Sequence, residues 1–77
     1  MTDVVTVDAV CEVIADVFGV PRTELTGSIT RDQVPEWDSI GHLNLMLALE
    51  ERFGTAFSVD EMAALDSVAA IATRVSR

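Results

Sequence analysis

The chain has 77 residues, with 13 acidic side chains against 5 arginines and no lysine, a formal charge of −8. Such a balance repels nucleic-acid phosphates and anionic lipid, so DNA, RNA and membrane-surface roles are disfavoured and a basic protein surface is the natural electrostatic partner. Apolar residues make up 49% of the chain, enough for a packed core, but a chain this short has little room for both a core and an enclosed active site.

A single domain over 1–77 is expected, and a monomer. One cysteine, Cys11, allows no internal disulfide and no cysteine-based metal site. The first residues lack a basic, apolar leader pattern, and no stretch approaches the roughly 18 apolar residues of a membrane span. The cytoplasm is therefore the default compartment.

From Val4 to Phe18 the periodicity is helical. At about 100° per residue, Val7, Val10, Cys11, Ile14, Val17 and Phe18 share one stripe, with Asp8, Glu12 and Asp16 opposite. Cys11 lies at the stripe's edge and is read as a buried, inert thiol. Gly19 and Pro21 end this helix. Residues 19–37 read as a long connection containing Pro21, Gly27 and Pro35, packed down by Leu25 and Ile29. Trp37 is expected to place its ring on the domain surface in a packing role.

Asp38 then stands where a helix would start, because its carboxylate can accept the first unpaired N–H groups. The predicted helix runs from about Ser39 to Arg52, with Gly54 just beyond. Leu45, Met46, Leu49 and Phe53 form its core face, and His42 points the same way. Ile40, Asn44, Leu47 and Glu51 fall on the opposite side. Ile40 and Leu47, bordered by Glu50 and Glu51, form a small apolar strip suited to docking, unless a loop folds over it. A short helix is expected from Asp60 to Ala64. A last helix, capped by Asp66 or Ser67, buries Val68, Ile71, Ala72 and Val75, and Arg74 and Arg77 complement its C-terminus. The expected fold is all-α: three main helices and one short one in a compact bundle.

Little catalytic chemistry survives inspection. Ser39 and His42 lie one helical turn apart, but a nucleophile elbow needs Gly-x-Ser-x-Gly after a strand, and only Ser39-Ile40-Gly41 is present. No third group orients the histidine. His42 reads instead as a satisfied half-buried residue or a contact for a group attached at Ser39. Asp60, Glu61 and Asp66 lack calcium-loop spacing, and there is no glycine-rich phosphate loop. No catalytic residue and no metal ligand is assigned. The Ser39 hydroxyl does lie at the positive end of a helix dipole, where an attached phosphate is favoured.

Asp38-Ser39-Ile40, then Leu43 and the run Leu45-Met46-Leu47-Ala48-Leu49-Glu50-Glu51-Arg52-Phe53-Gly54, resembles the second helix of the acyl carrier proteins. In that family an Asp-Ser-Leu triplet carries 4′-phosphopantetheine on the serine. The resemblance spans most of the chain, from the first amphipathic helix to Val68–Val75. It differs at Ile40, where leucine is commonest, and at Glu36, near a frequent glycine. Gly41 and Asn44 stand where fatty-acid-synthesis members are often acidic, which weakens the expectation of docking to their standard enzymes. Asp38 favours the acyl-carrier side over peptidyl carriers, which commonly have histidine there. The run Trp37 to Leu45 is similar to free-standing carriers of specialised pathways.

The resemblance implies a non-enzymatic carrier. Ser39 would receive the 4′-phosphopantetheine arm from coenzyme A through a phosphopantetheinyl transferase, with Asp38 as helix cap and part of the transferase's recognition. The arm would hold an acyl group as a thioester and present it to acyl-loading and acyl-accepting enzymes with basic docking patches. Docking is expected through Ile40, Leu43, Asn44 and Leu47 with the charges of Glu50 and Glu51, and through Met62. The alternative is an unmodified acidic helical module that docks through the Ile40/Leu47 face, with Ser39 only part of the cap.

Overall fold

A computed structural model describes residues 4–76. Four α-helices follow one another: α1 (Val4–Phe18), α2 (Ser39–Phe53), α3 (Val59–Ala64) and α4 (Val68–Val75). Among the described residues there is no β-strand, only an isolated bridge between Thr30 and Ser67. The expected all-α bundle of three longer helices and a short one is the fold observed. No helix is long and apolar enough to cross a membrane among the described residues.

The core forms where the apolar stripes meet. Val10, Cys11 and Ile14 of α1, Leu45, Met46 and Leu49 of α2, and Val68, Ile71 and Ala72 of α4 are all fully buried. Each large aliphatic side chain so removed from water contributes about 1.5–3 kcal/mol. Val13 is buried as well, outside the stripe read from the sequence. The reason is that α1 packs against both α2 and α4, so its buried face is wider than a single seam. Val7, Val17 and Phe18 are only partly buried at its margins. Cys11 lies fully inside rather than at an edge, and burial pushes its thiol pKa up, outweighing the nearby Arg22 cation.

Glycines end two helices as their lack of a Cβ permits: Gly19 (φ 67°) after α1 and Gly54 (φ 62°) after α2 are both left-handed. The connection from Gly19 to Trp37 is more ordered than a plain loop. It contains 3-10 turns at Arg22–Glu24 and Arg31–Gln33, and it buries Leu25, Val34 and Trp37 while Ile29 packs against the core. Two backbone bonds stitch it to the head of α4: Arg31 N–H donates to Asp66 O (2.9 Å) and Val68 N–H to Ile29 O (3.0 Å). The loop is thereby closed onto a helix that packs on α1, which fixes where residues 34–38 emerge.

Short helix α3 is held by its ends. Ser58 and Glu61 form a capping box, with Glu61 N–H to Ser58 Oγ at 3.1 Å and Ser58 N–H to Glu61 Oε1 at 3.0 Å. Arg74 of α4 pairs with Glu61, donates to Ala56 O (3.1 Å) and lies over the Phe57 ring. Arg74 does lie in the last turn of α4, as the sequence predicts, and from there it also reaches across to brace α3. Arg77, expected to complement the α4 C-terminus, lies outside the described residues.

The hydrogen bond from Arg74, and then that from the Ser58 backbone, hold the Glu61 carboxyl below its ordinary pKa. A carboxyl lowered in the folded state contributes stability that is present above its unfolded value and is lost as pH falls through the folded one. Acidification below the ordinary glutamate range is therefore expected to loosen α3 from α4, read as shifts of the Ser58 and Glu61 amide resonances. In Arg74→Gln this transition should move up toward the ordinary glutamate pKa; an unmoved transition would show that Arg74 does not set it.

Candidate functional site

The site is the head of α2, and it is built from the residue before the cap. Trp37 N–H closes a turn onto Val34 O (2.9 Å), which directs the side chain inward. The ring is 2% exposed, so the surface placement expected from sequence is wrong. Burial of an indole needs a partner for its N–H, and His42 supplies it. Trp37 Nε1 donates to His42 Nδ1 at 2.8 Å, with the two rings stacked and Phe18 against the indole at 5.9 Å between centroids.

Since Nδ1 accepts, the imidazole proton sits on Nε2, which donates to the Met62 carbonyl at 2.6 Å. Both ring nitrogens are thus committed to the fold. His42 is the satisfied half-buried residue expected, and it has no free nitrogen with which to take a proton from Ser39.

With Trp37 inside, the chain leaves the core at Asp38 in an extended conformation (φ −90°, ψ −169°) and turns into the helix. Asp38 Oδ1 accepts from Gly41 N–H at 2.8 Å and Asp38 O from His42 N–H at 2.7 Å. The cap therefore comes from Asp38, and Ser39 is left out of it. Ser39 is exposed, and its hydroxyl makes no side-chain hydrogen bond among the described residues. The N–H groups of Ser39 and Ile40 precede the first intrahelical bond, so they remain free for an anion at the positive end of the helix. An exposed hydroxyl beside unpaired donors is an arrangement that can accommodate a phosphate group at this helix start.

Gly41 proves to be a packing requirement rather than a missing charge. A Cβ there would collide with the Glu36 carbonyl and lie 2.9 Å from a Phe18 ring carbon and 3.2 Å from Asp38 Oδ1. Glycine lets α2 sit directly under the turn that delivers Ser39. The sequence shows a glycine inside a helix, which is unfavourable there unless a close approach compensates.

The residues expected from the sequence to dock divide into two groups. Ile40 is 74% exposed and Leu43 and Leu47 are each 53% exposed, so no loop covers the strip. Asn44 and Glu51 are exposed beside them. Glu50, however, is half-buried, and its Oε2 accepts from Phe57 N–H at 2.8 Å, tying the α2–α3 link to α2. Met62 is half-buried against the core, with its carbonyl held by His42. Val59, 83% exposed at the start of α3, is an apolar surface residue that the reading of the sequence missed. Its signal was slight: it follows a Ser58 cap in a helix of six residues, too short to show an apolar face.

His42→Ala would orphan the buried Trp37 N–H and the Met62 carbonyl together, at a cost of about 1–3 kcal/mol. The expected result is a lower urea midpoint with an unchanged m-value. An unchanged midpoint would show that the relay does not hold α2 in place.

The family model described as phosphopantetheine attachment site matches residues 8–75. Among curated proteins no sequence matches this chain.

Proposed function

Because the chain belongs to the phosphopantetheine attachment site family, and so carries 4′-phosphopantetheine covalently, we propose that Ser39 is the residue that holds it. The observation that carries this reading is the exposed Ser39 hydroxyl at the first turn of α2, released from capping by the Asp38–Gly41 bond. Carrier domains of this kind are typically non-catalytic; they are modified by a phosphopantetheinyl transferase and then meet the enzymes of a pathway. When attached, the arm supplies a terminal thiol on which an acyl cargo travels as a thioester.

The chain's own residues do the rest. Asp38 keeps the helix start in place and leaves the hydroxyl and the first N–H groups open to the phosphodiester. Residues 1–77 act as one carrier unit, serving a fatty-acid-like, polyketide or other specialised pathway. Ile40, Leu43 and Leu47 supply apolar contact to the transferase and the pathway enzymes, with Asn44 at the strip and Glu51 giving the acidic border that steers toward basic patches. Glu50 contributes less directly, by holding the α2–α3 link against α2, and Met62 by fastening α3 to His42 of that helix. A contact of this size is weak and brief, which suits a shuttle that must also leave.

Incubation with coenzyme A and a broad-specificity phosphopantetheinyl transferase should add the mass of one arm to the wild type and none to Ser39→Ala. An unmodified wild type would overturn the reading and leave an acidic docking module. Because Cys11 is fully buried and its thiol pKa raised, native protein without the arm should show no thiol reactive toward a disulfide reagent. The loaded protein should show one.

Leu47→Ala should lower kcat/KM for a cognate loading enzyme by roughly five-fold, about 1 kcal/mol, with the helical circular dichroism intact. The fully buried Leu49 gives the contrast: Leu49→Ala should cost about 2–5 kcal/mol of stability. Equal transfer rates for Leu47→Ala and wild type would remove Leu47 from the docking surface.

A further inference from the structure

An open cleft of about 700 Å³ runs beside the head of α2, between the connection and the α3–α4 link. Asp38 lines it, so it adjoins the attachment residue directly. Val34, Pro35 and Ala63 give it apolar walls, while Arg31, Asp32 and Asp66 give it polar ones.

Arg31 is the unusual member. In a chain with 13 acidic residues and 5 arginines, Arg22 pairs with Asp8, Arg74 pairs with Glu61 and Arg52 lies over the Phe53 ring. Arg31 is half-buried, and no carboxylate lies within ion-pair distance of it among the described residues. Its Nε donates to Trp37 O at 3.1 Å, which pins the guanidinium to the backbone two residues before Ser39. A guanidinium has five donors in a planar fork, and this bond uses one of them.

We propose that this cleft is the resting seat of the arm, with Arg31 engaging its phosphodiester and the cleft's carboxylates accepting from its amide N–H groups. The inference rests on the reading that Ser39 carries the arm. The chemistry matches along the length of the group. The anion would stand on Ser39, two residues beyond the carbonyl that holds the Arg31 guanidinium, and phosphate with arginine is a strong charge-assisted pair. The branched methyl groups that follow suit Val34, Pro35 and Ala63. The two amides are donors, and Asp32 and Asp66 are acceptors with no ion pair of their own among the described residues. The same carboxylates repel an anionic cargo, so the seat favours the neutral arm itself. Because the cleft is open, the arm leaves it without unfolding any element.

The test compares apo and loaded protein, ¹⁵N-labelled, as wild type, Arg31→Gln and Ala63→Phe, each loaded form verified by intact mass. In the wild type, loading should shift the amide resonances of residues 30–32 and 63–66 as well as those adjoining Ser39. The ³¹P resonance should lie away from that of a phosphopantetheinyl-serine peptide. Raised salt should weaken both effects, since the contact is ionic. In Arg31→Gln the ³¹P resonance should return to the peptide's position. Ala63→Phe fills the cleft while keeping Arg31 in the chain and should abolish the shifts at 63–66; it carries the test should Arg31→Gln lose its helical circular dichroism. Loading shifts confined to residues adjoining Ser39, or shifts at 63–66 that survive in Ala63→Phe, would overturn the proposal. Failure of the wild type to gain the arm would be read from its mass alone and would overturn the carrier reading instead.

Discussion

The hydrogen bond between the Trp37 indole and His42 is the constraint on which the rest of the site depends. It joins the last residue of the connection to the first turn of α2, and the second imidazole nitrogen extends the link to α3 through Met62. Three separate segments meet on one ring. Without that relay the indole would have no buried partner, and the chain would have no reason to surface at Asp38. Because the ring is inside, Asp38 must turn outward, and an aspartate turning into a helix caps it. Ser39 is exposed as a result of its neighbours' needs.

The same economy explains Gly41 and the stitched connection. The helix can approach the Glu36 carbonyl so closely only because no side chain stands at Gly41. The connection that leads to the turn above it is tied down where Arg31 and Ile29 are bonded to the backbone at the head of α4. The polar chemistry of this protein is concentrated in such joints. Ser58 with Glu61 and Arg74 secures α3, and Glu50 secures the segment leading to it. What lies between the joints is an apolar core assembled from α1, α2 and α4.

Much of this was legible in the sequence, for reasons that differ residue by residue. The faces of α1 and α4, Val13 apart, and the Asp38 cap were readable because they depend on local spacing and on one side chain reaching its own helix. The Ile40/Leu47 strip was readable because the same periodicity that buries Leu45 and Leu49 turns those two outward. The inward ring of Trp37 was not, since its partner lies five residues on, a spacing that no helical pairing rule covers. The need for glycine at position 41 was equally hidden, because the atom it avoids belongs to a turn whose path only tertiary packing sets. Backbone-to-backbone bonds such as Arg31 to Asp66 leave no trace in residue type at all. Glu50 read as a surface charge because composition records the sign of a carboxylate and not what it accepts.

The closure of the connection onto α4 has a geometric consequence. The head of α2, where the proposed tether departs, is fastened to the bundle through backbone bonds on one side and a helix cap on the other. Whatever distance a carried group covers must come from rotation within the tether and tumbling of the whole domain. With the tether on Ser39, as proposed, an enzyme that works on such cargo has to place its reacting centre within one tether length of that residue.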